Sequence, residues 1–216
     1  METSPIMREY LAEIYRLQED EPTVSTTSLA ERLDVSAPAV PRMLKRLKSA
    51  GYVEHKPYQG VALTPLGERE ALREIRRHRI LEVFLVNVMG FTWDEAHTHS
   101  EELSKGLNDA LTDRMAEMTG FPTRCPHGEP IPNQNGDLPE IKDLCIMNLN
   151  VGHTGAISRV RTHDLEKLRY LASLGLVPGA EFEIVGRAPF NGPMRLRLDR
   201  EEVVLGVELT QSLWVT

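Results

Sequence analysis

Between residues 120 and 141 the chain changes its periodicity, and no regular element can run through the stretch. Pro122, Pro126, Pro130, Pro132 and Pro139 interrupt it, with Gly128 and Gly136 among them, so it reads as a loop or linker. Before it, apolar residues recur at helical spacing. After it, short strand-like runs alternate with turns. The chain is therefore expected to be mainly α in its first two thirds, with a separate β domain at its end.

Within the helical part, Ser4 and Pro5 open a helix over 4–18 that carries Ile6, Tyr10, Ile14 and Leu17. Thr27 caps the short helix SLAERL, Asp34-Val35 turns the chain, and Ser36 opens APAVPRMLKRLKSAGY, which Gly51 ends. The runs YVEHK (52–56) and VALT (61–64), joined by PYQG, complete a winged helix-turn-helix layout. A long helix over 65–89 follows, with Leu72, Ile75, Leu81, Phe84, Leu85 and Val88 as its apolar set. Thr92 and Glu95 form a capping box for a second long helix over 93–119, with Leu103, Leu107, Leu111 and Met115 as its buried stripe. Two such helices carry more apolar surface than a short winged domain buries, so a homodimer interface is expected. From about 144 the runs AISRVR, EFEIVGR, MRLRLD, EVVLG and LWVT, interrupted by the helix DLEKLRYLASLG, describe a small β-barrel with one helix, and NGP (191–193) is a turn. The domain boundaries expected are 1–64, 65–141 and 142–216.

The net charge of −7 is unevenly spread. Residues 36–60 set Arg42, Lys45, Arg46, Lys48 and Lys56 against Glu54 alone, a local basic excess in an acidic chain. Any contact with nucleic acid should come from there. No basic-then-apolar leader opens the sequence, and the most apolar run, ILEVFLVNVMGF (80–91), is too short to span a bilayer. Cys125 and Cys145 make no disulfide framework. A cytoplasmic location with no membrane partner is the expectation.

In a helix-turn-helix, side chains near the start of the second helix meet base edges. Here these are Ser36, Ala37, Pro38, Ala39 and Arg42. Arg42 suits a two-pronged grip on guanine, while Lys45, Arg46, Lys48 and, on the wing, Lys56 suit phosphates. The competing reading is a basic amphipathic helix packed in a helical domain with no DNA role. Pro41 lies early in that helix and removes a backbone donor.

A metal is suggested by HTHSEELSK (97–105). At about 100° per residue, His97 falls at about +120° from Leu103 and Glu101 at about +160°, on one flank, while His99 falls at about −40°. His97 and Glu101 can thus face one centre, and His99 is expected to be partly buried. His78 and Glu82 form another i,i+4 pair on the preceding helix, and CPHG adds Cys125 and His127. Such pairs also occur on ordinary solvated helix faces.

Taken together, REYLAEIYRL (8–17), SLAERLDVSAPAVPRMLKRLKSAGYV (28–53), RRHRILEVFL (76–85), CPHGEPIP (125–132) and the C-terminal strands resemble the diphtheria-toxin-repressor/manganese-repressor family of metal-dependent transcription factors. The resemblance covers nearly the whole chain. It implies a winged helix-turn-helix domain, a helical dimerisation domain and an SH3-like (FeoA-like) domain. It also implies a homodimer that binds double-stranded operator DNA and represses metal-uptake genes when a divalent ion is bound. By the same resemblance, an ancillary metal site falls on His78, Glu82, His97, Cys125 and His127, with a further ligand at His163 or Asp164. A primary site would use Glu9 and Glu101, but its Glu-His pair is replaced by Ser104 and Lys105. Protonated lysine cannot coordinate, and Lys105, i,i+4 from Glu101, is expected to put its ammonium where a cation would stand. Oxygen and imidazole donors suit Mn2+, and Cys125 softens the set toward Fe2+ or Zn2+. One rival is a winged-helix regulator that binds DNA without metal control. A metal-dependent hydrolase is the other, but no HExxH or comparable constellation appears.

Overall fold

A computed structural model describes residues 3–19, 21–56, 59–162 and 164–216, with Lys56 described by its backbone alone. The chain forms two compact units. One comprises Met1–Leu81, Glu101–Glu117 and Ile131–Leu138; the other comprises Glu82–Ser100, Met118–Pro130 and Pro139–Thr216.

The first unit opens with α1 (Pro5–Gln18), capped by Ser4, whose hydroxyl accepts the Met7 N–H. α2 (Thr26–Arg32) is capped by Ser25 rather than by Thr27. Asp34, with φ of 49°, turns the chain into α3 (Ala39–Ser49). Ser36 and Pro38 therefore precede α3 instead of opening it, and Ser36 O accepts the Ala39 N–H. This also disposes of the difficulty at Pro41. It is the third residue of α3, where a helix has no internal acceptor for an N–H, so its ring costs no hydrogen bond.

β1 (Val53–Lys56) and β2 (Gly60–Leu63) pair antiparallel from Val53↔Leu63 to Lys56↔Gly60 and form the wing. Leu11, Ile14, Leu29, Val40, Leu44, Leu47 and Val61 make the core beneath them. Ile6, expected on the buried stripe of α1, is 57% exposed. α4 (Pro65–Asn87) leaves the wing past the Tyr52 carbonyl. A Cβ at Gly67 would stand 1.9 Å from that oxygen, so only glycine fits there.

The second long helix is broken. α5 (Trp93–Leu103) passes into a 3-10 turn over Ser104–Gly106, and α6 (Asp109–Met118) starts afresh. Asn108 Oδ1 accepts the Leu111 N–H as a cap for α6. The expected continuous stripe fails with the break: Leu103 and Leu111 are 55% and 50% exposed, and Ala96, His97, Ser100 and Ser104 are buried instead. His99, expected to be partly buried, is exposed and meets Phe91 edge-on.

The second unit contains a six-stranded antiparallel sheet in the order β3-β8-β4-β5-β6-β7. Its strands are β3 (Leu144–Cys145), β4 (Thr154–Val160), β5 (Glu181–Arg187), β6 (Met194–Leu198), β7 (Glu201–Leu205) and β8 (Leu213–Val215), with α7 (Leu165–Ser173) and α8 (Val207–Gln211) between them. Ile157, Leu168, Leu171, Ile184, Leu196 and Leu213 are its core, and Trp93 of α5 packs against it. Among the described residues no ladder joins β3 to β7. No described helix is long and apolar enough to cross a membrane.

Within the first unit, Glu13 of α1 accepts from Arg32 of α2 at 2.9 Å and also pairs with Arg16. Burial alone would push its carboxyl up, but the two guanidiniums outweigh this and hold it below the usual carboxylate range. A depressed pKa contributes stability above the unfolded value that is lost as pH falls through the folded one. Glu13→Gln is expected to cost about 2 kcal/mol at neutral pH, less than a fully enclosed pair because Arg32 is 37% exposed. Denaturant titrations at pH 7 and in mild acid check this, with the difference from wild type shrinking in acid.

Candidate metal centre and DNA-binding surface

The centre is built around one carboxylate. Glu82 lies on α4, one turn after His78, and its side chain is 3% exposed. His97 of α5 brings Nδ1 to 3.1 Å from Glu82 Oε1. His127 brings Nδ1 to 3.4 Å from the same oxygen. Cys125 Sγ lies 3.8 Å from His127 Nδ1. Ligand atoms of His78, Glu82 and His97 fall within 4.8 Å of one another, as do those of Glu82, Cys125 and His127, and all five residues are buried.

A carboxylate withdrawn from water needs a compensating cation. When protonated, His127 can serve this purpose. Burial opposes its imidazolium, but the Glu82 charge, a hydrogen bond to Glu82 and the more distant Glu129 prevail, so its pKa is raised above 6.5. His127 Nε2 is buried with no hydrogen-bond partner among the described residues. Imidazole, carboxylate and thiol donors gathered around Glu82 are of the types that suit a divalent first-row ion. Trp93 stacks on the His127 ring at 5.1 Å between centroids. Nothing in the sequence marks Trp93 as part of the centre, because its role depends on how α5 meets the loop.

The other expected ligands lie outside these groups. Lys105, in the 3-10 turn, places Nζ 2.9 Å from Glu9 Oε1. Its ammonium thus meets the carboxylate of Glu9 on α1. Arg8 reinforces the junction, donating to Lys105 O at 3.2 Å and to Glu74 Oε2 at 2.9 Å. Glu9 and Glu101 belong to neither group of ligand atoms. Asp164 caps α7, accepting from the Glu166 and Lys167 N–H groups, and also stands outside both. His163 lies outside the described residues.

On the first unit, Ser36, Pro38, Arg42, Lys45, Arg46 and Lys48 are exposed and Ala39 is half-buried, while Val40, Met43, Leu44 and Leu47 of the same helix are buried. α3 therefore shows solvent a basic face. Lys48 Nζ donates to His55 O at 3.0 Å and ties α3 to the wing. The Lys56 side chain lies outside the described residues.

These features coincide with known protein families. Residues 2–61 match the iron dependent repressor N-terminal DNA binding domain, 64–133 the iron dependent repressor metal binding and dimerisation domain, and 145–216 the FeoA domain. The iron-dependent repressor IdeR of Mycobacterium leprae is 32% identical over 218 residues, covering 95% of this chain and 94% of its own. A solved manganese-dependent transcriptional repressor in complex with manganese is 37% identical, with a TM-score of 0.90 over 97% of this chain and 99% of that one. IdeR of T. acidophilum is 27% identical, with a TM-score of 0.82 over 97% and 96%. The fold and site define a metal-dependent, DNA-binding transcriptional repressor. The chain belongs to the family of iron-dependent and manganese-dependent repressors that includes IdeR and the diphtheria toxin repressor.

The raised pKa of His127 gives a signed expectation. Its pairing with Glu82 adds stability that is fully present below the unfolded value near 6.5 and is lost as pH rises through the folded value. Metal-free protein in chelator should therefore lose thermal stability on going from mildly acidic to alkaline buffer, and His127→Gln should flatten that dependence. An identical pH profile in the variant would contradict the pairing.

Proposed function

We propose that the protein is a homodimeric repressor of metal-uptake genes, held in its DNA-competent state by one divalent ion per protomer. What supports this is the bracketing of Glu82 Oε1 by His97 and His127, with Cys125 and His78 beside them. These five residues hold the ion, which supplies the positive charge that the buried carboxylate otherwise obtains from a proton. Mn2+ is the preferred ion on oxygen and imidazole chemistry, and the Cys125 thiol extends the range to Fe2+ and Zn2+. The ion acts by population shift: it binds the competent arrangement of α4, α5 and the loop better than an open one.

The roles divide along the chain. Residues 1–64 bind operator DNA, with Arg42 reading a base edge, Ser36, Pro38 and Ala39 allowing close approach, and Lys45, Arg46, Lys48 and Lys56 meeting phosphates. Residues 65–141 carry the dimer interface, for which the exposed Leu103 and Leu111 are suited. Residues 142–216 form a FeoA-type, SH3-like domain. Acting on operator DNA places the protein in the cytoplasm.

Glu9 and Glu101 do not make a second site in this reading, because the Lys105 ammonium already neutralises Glu9. That same ion pair favours a second reading, in which the protein binds DNA without metal control. A gel-shift assay on the promoter of its own gene separates them. Shifts should require Mn2+, titration should give one ion per protomer, and His97→Ala should abolish the metal response. Arg42→Ala should weaken binding by about 1–3 kcal/mol and relax specificity at one base. Equal shifts with and without chelator would establish the second reading.

A further inference from the structure

The loop that carries Cys125 and His127 is seated on β4 through its backbone. Cys125 N–H donates to Glu129 O and Gly128 N–H to Cys125 O, closing a tight turn. The carbonyl of His127 accepts the Val160 N–H of β4 at 2.8 Å. Gly128, with φ of +83°, lies flat against the strand: a Cβ there would stand 2.1 Å from Ser158 O and 2.6 Å from Arg159 Cα. No other residue fits.

An ion network centred on one buried carboxylate fastens this seat. Asp143, its side chain 1% exposed, accepts from Ser158 Oγ at 2.7 Å through Oδ2. Arg159 of β4 places Nε 3.1 Å from the same oxygen, and Arg124 of the loop places NH1 at 3.7 Å. Arg124 NH1 also donates to the carbonyl of Gly128 at 2.6 Å. Arg159 NH1 reaches Glu129 Oε2 at 3.4 Å, and its guanidinium lies 4.3 Å from the centroid of the Trp214 ring. Asp143 Oδ1 is buried without a hydrogen-bond partner among the described residues. Buried ion pairs are poor sources of stability compared with apolar packing, and one with an unsatisfied oxygen is poorer still. What this network supplies is a fixed orientation: it grips both ends of the turn that aims Cys125 Sγ and His127 Nδ1 at Glu82.

We infer that Asp143, bridging Arg124 of the loop to Arg159 of β4, is a positioning residue that orients Cys125 and His127 for metal without touching it. The inference rests on the metal-site reading above. It makes the β domain part of the sensor through a contact that contributes no ligand. Outer groups of this kind change metal affinity by about 10–100-fold.

The test uses the full chain. Mn2+ is titrated calorimetrically into wild type, Asp143→Asn, Ser158→Ala, His127→Ala and, as a control, Arg197→Gln, which breaks an exposed ion pair on β6. Amide hydrogen exchange at Gly128 and Val160 is followed in the metal-free proteins. Asp143→Asn should weaken Mn2+ binding by about 10–100-fold and speed exchange at both amides, whereas Arg197→Gln should do neither. Asp143→Asn that folds, binds Mn2+ as wild type does and keeps slow exchange overturns the inference. If that variant does not fold, Ser158→Ala decides, with unchanged affinity and unchanged exchange overturning it. Should His127→Ala bind Mn2+ like wild type, the metal-site reading fails instead, and the exchange data still report whether Asp143 holds the loop.

Discussion

A single buried carboxylate sets the terms for this protein. Glu82 is almost wholly removed from water, on a helix whose neighbouring residues pack into cores. A charge in that position is stable only beside positive charge. His97 and His127 bring ring nitrogens to 3.1 and 3.4 Å from the carboxylate, from two other segments. The meeting of α4, α5 and the proline-rich loop is therefore an electrostatic requirement, and an ion or a proton can satisfy it. An ion does so with a fixed geometry and several ligands at once, whereas a proton serves only one pair. On the proposed reading, a difference of that kind lets the arrangement report which one is bound.

The junction at Lys105 solves a similar problem in another way. Glu9 on α1 meets a covalently attached ammonium, which is always supplied and does not vary with metal. Arg8, Glu74, Arg77 and Asp109 extend this into a chain of charges across the first unit. One carboxylate of the chain thus answers to the medium and another to the sequence itself.

Much of the fold is legible in the residues alone. The winged layout follows from capping residues and a turn, and each expected β run is a strand, because these signals are local. The i,i+4 spacing unites His78 with Glu82 for the same reason. The break at 104–108 is hidden because the apolar repeat of Leu103, Leu107 and Leu111 continues through it. Gly106 and the capping Asn108 are the contrary signals. Treating the helix as continuous is what puts His99 on the wrong side. The convergence of Cys125 and His127 on Glu82 comes only from the family resemblance, since it depends on where β4 lies, and no local pattern encodes that. The short β3 and α8 carry too few residues for a period to show.

The seating of the loop on β4 also has a consequence for biosynthesis. β4 pairs with β8, the last of the sheet's strands in chain order. The proposed ligands at 82, 97, 125 and 127 are all made before β8, and β4, on which the turn carrying two of them is seated, pairs with β8. Pairings so distant in sequence form late. On the proposed reading, an emerging chain presents the basic face of α3 before the seat of the Cys125–His127 turn is finished.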